Sequence, residues 1–161
     1  MIESVLKSLE SGNAYSFGDW PNPMIPQVAV GVYTVWENDR LLYSGRAGDT
    51  LTKRRINELR QRGTQRRGLS ERLLSHASGR RKGDHFCLEV CDRLVLPTLT
   101  QETLAQIGQG RLSLDDLTRL YIRERLTYRF IEVNDARTAR SLEKAIRSGG
   151  LTAGKPVLNP A

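Results

Sequence analysis

The chain has 161 residues, of which 39% are hydrophobic and 27% are charged, a composition that excludes a disordered chain or a fibrous repeat. No segment approaches the roughly 20 consecutive apolar residues of a membrane helix, and the sequence begins without a secretory signal, so we expect a cytoplasmic protein with no membrane partner. The 25 Lys and Arg residues against 18 Asp and Glu residues give a net charge of +7, which favours a polyanionic partner.

The first 27 residues are predicted to form an N-terminal region. A short amphipathic helix around residues 2–9 is followed by an irregular segment, residues 16–27, that holds three of the six prolines. The regular domain is then predicted to span residues 28–161.

A β-hairpin opens the predicted domain. The runs "VAVGVYTVW" and "RLLYSG" are apolar and β-branched, and "ENDR" joins them. Residues 50–68 follow as a basic insert that is predicted to be partly helical. The next segment, "LSERLLSHAS", has apolar residues at helical spacing, and Ser70 is its predicted N-cap.

The segment "HFCLEVCDRLVL" alternates in a way that predicts a third strand. In a strand, Cys87 and Cys91 would lie roughly 13 Å apart, which is beyond disulfide reach. Two cysteines at this spacing are also a poor zinc site, because structural zinc takes four ligands. We therefore expect reduced cysteines that pack in the core.

The remainder of the chain predicts two helices and a fourth strand. Ser113 and Asp116 form a capping box at the start of "SLDDLTRLYIRERL", within a helical insert at residues 98–127. "TYRFIEV" predicts a strand, and "NDARTARSLEKAIRSGG" predicts a last helix that ends before Gly149 and Gly150. The order of elements predicts an α+β domain: a small, mainly antiparallel sheet, opened by the hairpin and flanked by helices.

Two tyrosines of the hairpin raise a question of register. Tyr33 and Tyr43 share one face only if paired residues have numbers with an even sum, which requires an odd loop or a β-bulge. A plain two-residue turn would separate them. If they do converge, Gly31 and Gly45 leave room beside them for a ligand, although core packing explains the same residues.

The tripeptides "GVY" and "YSG" resemble the paired signature of the GIY-YIG nuclease superfamily. Three further segments resemble motifs of this family in the same order, namely "ERLLSH", "LEKAIR" and "KPVLNP". The long interval between "YSG" and "ERLLSH" is similar to that of the restriction-enzyme branch and of single-domain bacterial members. The resemblance implies a GIY-YIG-like fold and an endonuclease that hydrolyses phosphodiester bonds in DNA. RNA is the alternative substrate.

The resemblance also implies a set of catalytic residues: Tyr33, Tyr43, Arg72, His76, Glu143 and Asn159. Glu143 would hold one divalent ion, Mg²⁺ or Mn²⁺, and Tyr33 would act as general base, with His76 as the competing base. Tyr43 and His76 would orient the water or the phosphate, while Arg72 would stabilise charge on the phosphate. Asn159 would hold the tyrosine or the glutamate in place.

The residues themselves admit these roles and also simpler ones. Arg72 and His76 are four residues apart on a helix, so both can converge on a phosphate, or both can face solvent. Glu143 falls at the edge of the apolar stripe formed with Leu142 and Ile146, where it has open space in front of it or forms a surface salt bridge.

The basic residues of the insert, those of the segment after "ERLLSH", and Arg46 directly after "YSG" are candidates for binding the nucleic-acid backbone. The candidates are Arg46, Lys53, Arg54, Arg55, Arg60, Arg62, Arg66, Arg67, Arg80, Arg81 and Lys82. A solvated basic loop is the alternative. Two other functions stay open: a nucleic-acid-binding module that does not cleave, and a small interaction protein whose charge is incidental. Monomer and homodimer are equally compatible with the sequence.

Overall fold

A mainly antiparallel sheet forms the centre of the molecule. The computed structural model describes residues 1–63 and 65–160, so Thr64 of the predicted insert and Ala161 at the end of the predicted domain lie outside the described residues. The strands are β1 (Tyr15–Ser16), β2 (Val28–Glu37), β3 (Arg40–Ala47), β4 (Arg67–Gly68) and β5 (Thr127–Val133). They lie in the order β1-β5-β2-β3, and β4 pairs in parallel with the start of β2. The predicted α+β class is confirmed.

A β-bulge sets the register of the hairpin. Glu37 pairs with Arg40 around the turn, but Val35 pairs with Tyr43, so Leu42 is an extra residue on β3. The bulge reverses the parity that the two-residue turn would impose. Tyr33 and Tyr43 therefore point to the same face of the sheet.

Seven α-helices flank this sheet along the described chain. They are α1 (Ile2–Ser11), α2 (Lys53–Arg62), α3 (Leu69–Ser78), α4 (His85–Val90), α5 (Gln101–Gly108), α6 (Leu114–Arg125) and α7 (Ala136–Arg147). Because β2 is central, both of its faces are apolar and buried. Helices α3, α4 and α6 contribute to the core with Tyr33 and Val35, whereas α1, α2 and α7 contribute to the core with Val30 and Val32. No described helix combines the length and the apolar character needed to cross a membrane.

Most of the predicted elements are present. The N-terminal helix, the hairpin, the helix within the basic insert and the last helix all form. The predicted capping box also forms: Ser113 accepts from the backbone N–H of Asp116, and the Asp116 carboxylate accepts from the N–H of Ser113. The segment predicted as a helical insert contains α5 and α6.

The predicted third strand is wrong. Residues 85–98 form α4, followed by a π-helical turn (Cys91–Val95) and a 3-10 turn (Leu96–Thr98). Asp84 caps α4 by accepting from the N–H of Cys87 at 3.1 Å, and the buried residues Phe86, Cys87, Val90 and Cys91 lie on one helical face. The strand-based separation of the cysteines no longer applies, but both thiols are buried and free.

The predicted N-cap of α3 is also wrong. The helix starts at Leu69, with Gly68 in the N-cap position. Ser70 lies in the first turn, and its hydroxyl donates to the carbonyl of Gln27 at 2.7 Å. The hydroxyl therefore anchors α3 to the residue before β2 rather than capping the helix.

Candidate active site

Tyr33, Tyr43 and His76 form an aromatic cluster on one face of the sheet. The ring centroids of the two tyrosines are 6.4 Å apart, and the His76 ring lies 5.4 Å from Tyr33 and 5.9 Å from Tyr43. Phe86 of α4 covers the imidazole at 4.6 Å. Gly45 pairs with Tyr33 across the hairpin, and a Cβ at Gly45 would overlap the Tyr33 hydroxyl. The convergence of the tyrosines thus depends on the bulge and on a glycine.

A chain of hydrogen bonds runs from Tyr33 into the core. The Tyr33 hydroxyl lies 2.7 Å from His76 Nε2, and His76 Nδ1 lies 2.8 Å from Asp84 Oδ2. Ser75 donates to the same carboxylate oxygen at 2.7 Å, and the N–H of Cys87 donates to the other oxygen at 3.1 Å. Tyr33 and His76 are each 1% exposed and Asp84 is 3% exposed, so only a small part of this Tyr-His-Asp line is open to solvent.

The charge on Asp84 fixes the direction of these hydrogen bonds. Burial by itself would raise the pKa of Asp84, but the hydrogen bond and the charge of His76, together with hydrogen bonds from Ser75 and the Cys87 N–H, lower it to about 2. An ionised carboxylate only accepts hydrogen bonds, so Nδ1 of His76 carries a hydrogen. In the neutral imidazole, Nε2 is then an acceptor, and the Tyr33 hydroxyl donates to it.

Burial dominates the acidity of both phenols. It raises the pKa of Tyr33 well above its ordinary value, and Tyr43, Asp84 and Glu143 add to the effect while Arg72 opposes it. Burial also raises the pKa of Tyr43, again with Arg72 acting in the opposite direction. Arg72 lowers the pKa of both phenols, as the sequence predicts, but burial raises it by more. A free phenolate at Tyr33 is therefore disfavoured at neutral pH.

Tyr43 is the phenol that reaches the surface. It is half-buried, and its hydroxyl makes no side-chain hydrogen bond within the described residues. Every fully buried polar side-chain atom of residues 1–63 and 65–160 has a partner, so this hydroxyl faces solvent. The alternative in which Arg72 and His76 form a solvent-facing pair is wrong, because His76 is buried while Arg72 is exposed.

Glu143 lies beside the same strand, on α7. Ala139, Leu142 and Ile146 bury one side of this helix, and Glu143 is 8% exposed at the edge of that stripe. Its carboxylate contacts the guanidinium of Arg46 on β3. The helix itself packs in the core with Val30 and Val32, and the charge of Glu143 contributes to the raised pKa of both phenols.

Arg46 has a second acidic partner. Its guanidinium forms two hydrogen bonds with Asp49, at 3.0 and 3.1 Å. Arg147 approaches the other oxygen of Glu143 at 4.0 Å. Glu143 thus takes part in the salt bridges that the simpler interpretation predicts, and it also lines an open cavity of about 520 Å³ together with Asn159.

Asn159 joins the end of the chain to β3. Its amide donates to the carbonyl of Ser44 at 2.9 Å and accepts from the N–H of Ser44 at 2.8 Å. The N–H of Leu158 donates to the carbonyl of Leu42 at 2.7 Å. Asn159 therefore holds the backbone of Ser44, the residue that follows Tyr43, and within residues 1–63 and 65–160 no hydrogen bond joins its side chain to a tyrosine or to Glu143.

Many of the predicted nucleic-acid-binding residues are engaged within the protein. Arg54 and Arg55 share Glu58, and Arg60 binds the carbonyl of Val28 and the carboxylate of Glu132. Two more pairs are Arg67 with Glu71 and Arg81 with Asp115. Within the described residues, five of the predicted set have no salt bridge, namely Lys53, Arg62, Arg66, Arg80 and Lys82. The insert is therefore less electropositive than its composition predicts.

His76, Asp84 and Cys87 also have the donor atoms of a small metal group, since their ligand atoms lie within 4.8 Å of one another. Burial raises the pKa of the Cys87 thiol, so this group stays protonated, and the other two are already hydrogen-bonded to each other. A thiol also does not suit Mg²⁺ or Mn²⁺. This group is better explained as the buried part of the Tyr-His-Asp line.

Asp84 is the site residue that the sequence did not identify. An aspartate directly before "HFCLEV" is typical of a helix N-cap. This signal indicates Asp84 only if the segment is predicted as a helix. Comparison of the chain with protein-family models, with curated proteins and with solved structures found no match. The resemblance to the GIY-YIG nucleases therefore stays a prediction based on the five motifs.

Proposed function

We propose that this protein is a divalent-metal-dependent endonuclease of the GIY-YIG type that hydrolyses phosphodiester bonds in DNA. One observation carries the proposal: the buried Tyr33-His76-Asp84 line ends at Tyr33 on β2, while Glu143 contacts Arg46 on the neighbouring strand β3 and Arg72 lies one helical turn before His76 on α3. A group that can accept a proton thus lies near a carboxylate and a cation. Phosphodiester hydrolysis requires these three elements together.

His76 gives Tyr33 a way to act as a base despite its raised pKa. As Tyr33 takes a proton from the attacking water, its own proton passes to Nε2 of His76, and no free phenolate is needed. Asp84 then stabilises the positive imidazolium through the Nδ1 hydrogen bond. Tyr33 and His76 therefore act as one base, and Tyr43, the phenol that reaches solvent, orients the water.

Glu143 fits the single divalent ion that the family resemblance implies. It is one carboxylate at the wall of a roomy cavity, which suits a hard cation that keeps several waters. Arg46 competes for the carboxylate, but Asp49 offers the guanidinium an alternative partner. When bound, a Mg²⁺ or Mn²⁺ ion would supply positive charge at the phosphate. Arg72, which is exposed on α3 one turn before His76, neutralises the remaining charge on the phosphoryl oxygens.

Nicking of supercoiled plasmid tests the proposal. We expect wild-type protein to cut in Mg²⁺ or Mn²⁺ and to be inactive in EDTA. Glu143→Gln should lower the rate at least 100-fold while DNA binding in EDTA persists. Glu124→Gln is the matched control, because Glu124 is exposed on α6 and lies outside the site; its rate should equal that of the wild type. Absence of cutting on duplex, branched and single-stranded DNA and on RNA would refute the enzymatic proposal.

A binding module that does not cleave is the second candidate. The near-complete burial of Tyr33 and His76 and the contact between Arg46 and Glu143 favour it, because both limit access to the catalytic groups. This candidate predicts salt-dependent DNA binding without cutting under any metal condition.

A further inference from the structure

The exposed side of α7 carries a row of cations. Arg140, Lys144 and Arg147 are separated by four and three residues, which places them within about 60° of one another around the helix axis. The row extends for about 10 Å along the helix, at 1.5 Å per residue. The opposite side of α7 packs in the core, so the row has a rigid support.

The same cations surround the cavity in which Glu143 lies. Its volume is about 520 Å³, and Arg140, Lys144 and Arg147 line one wall. Lys155 lines it from the C-terminal segment. That segment is fixed, because the Arg147 guanidinium donates to the carbonyl of Pro160 at 2.9 Å. Cations of two different chain segments therefore face one space.

The fold leaves most of this charge without a partner. Arg140, Lys144 and Lys155 are exposed and make no salt bridge with any other described residue. Clustered like charges repel one another, and binding of a polyanion relieves that repulsion. The basic insert differs in this respect, since Arg54 and Arg55 pair with Glu58.

We propose that the face formed by Arg140, Lys144, Arg147 and Lys155 binds the phosphodiester backbone that flanks the phosphate at Glu143; this inference rests on the proposed function. A nucleic-acid strand carries one negative charge per about 3.4 Å of its axis, so a row of about 10 Å faces about three consecutive phosphates. The strand thus runs along α7, and the basic insert is the less important contact.

Binding of a labelled 20-base-pair duplex in EDTA, without turnover, tests this assignment. The variant Arg140→Gln with Lys144→Gln removes two charges from α7, and Lys53→Gln with Arg62→Gln removes two from α2. All four side chains are exposed and lack salt bridges within the described chain, and Gln is a good helix former, so both variants should melt like the wild type. We expect the α7 variant to lose at least tenfold in affinity, and its salt slope to fall by about 2. The α2 variant should lose less than threefold.

The outcomes separate this inference from the proposed function. Equal losses in the two variants, or a larger loss in the α2 variant, would overturn the α7 path even if the protein cuts DNA. The expected losses in a protein that never cuts would refute the nuclease and leave the α7 path supported. Wild-type protein that does not bind the duplex would overturn both.

Discussion

Replacement of Asp84 by asparagine perturbs the Tyr-His-Asp line while it keeps the size of the side chain. The carboxylate accepts from His76, from Ser75 and from the Cys87 N–H. The amide of asparagine has only one acceptor oxygen, and its NH₂ group is a donor. If that group faces His76, the imidazole must carry its hydrogen on Nε2, and the Tyr33 hydroxyl loses its acceptor.

The magnitude follows from the pKa of Asp84. Despite burial, its hydrogen bonds lower the pKa from 3.8 to about 2, and one pKa unit corresponds to about 1.4 kcal/mol, so the ionised carboxylate stabilises the native state by about 2 kcal/mol at neutral pH. A carboxyl whose pKa is lower in the folded state stabilises fully above its unfolded pKa and loses this effect as pH falls. The difference in unfolding free energy between wild type and Asp84→Asn should therefore shrink between about pH 4 and pH 2.

Two measurements check this prediction. Urea unfolding at several pH values gives the free-energy difference. Nitrogen-15 NMR gives the tautomer directly, and the chain has only two histidines, so His76 is resolved with a His85→Gln control. We expect Nδ1–H in the wild type and Nε2–H in Asp84→Asn. In nicking assays, the rate should fall about 10²- to 10⁴-fold, the usual contribution of a positioned base. An unchanged tautomer together with full activity would refute the proton relay.

Two further predictions concern glycines. Gly45→Ala places a methyl group on the Tyr33 hydroxyl, so it should break the buried hydrogen bond to His76. We expect the unfolding free energy to fall by about 2 to 5 kcal/mol and nicking to be abolished. A stable, active variant would show that the phenol does not need this space. Gly63 and Gly79 have nearly equal φ angles of 71° and 70°, but an added Cβ at Gly63 meets no atom within 4 Å among residues 1–63 and 65–160 outside its chain neighbours, whereas one at Gly79 lies 2.5 Å from the backbone of Arg119. Gly63→Ala should therefore cost about 1 to 2 kcal/mol, and Gly79→Ala a further 1 to 3 kcal/mol or so; equal costs in urea unfolding would contradict the close approach of α3 and α6.

Short-range signals made the regular elements predictable. The capping box at Ser113 and the apolar stripe of α7 follow from spacing within one or two helical turns, and both are present. The prediction of a strand for "HFCLEVCDRLVL" was wrong because a short apolar run fits a strand and a buried helix equally well. The hydrogen bond from the Cys87 N–H to the Asp84 side chain favours the helix. Asp84 lies one residue before this apolar run, so the pattern of the run does not include it.

The site was less predictable because it depends on contacts between distant segments. His76 and Asp84 are only eight residues apart, yet they meet only because the chain turns back between α3 and α4. Likewise, the composition of residues 50–68 predicts a strongly basic surface, but partners such as Glu132 and Val28, far away in sequence, engage part of it. Charge counts in a sequence do not include these pairings, so they overestimate what a surface offers to a ligand.

The bulge at Leu42 shows how one residue determines whether the site exists. With the plain pairing of Glu37 and Arg40 continued along the hairpin, Tyr43 would face α7 and Tyr33 would face α3. The extra residue turns Tyr43 toward His76 and leaves Ser44 on the other face. There the Asn159 amide binds both the N–H and the carbonyl of Ser44. The C-terminal segment and the bulge therefore maintain the same register. The bulge and the C-terminal segment thus act together on the two adjacent residues, Tyr43 and Ser44, whose facing decides whether the second phenol reaches His76.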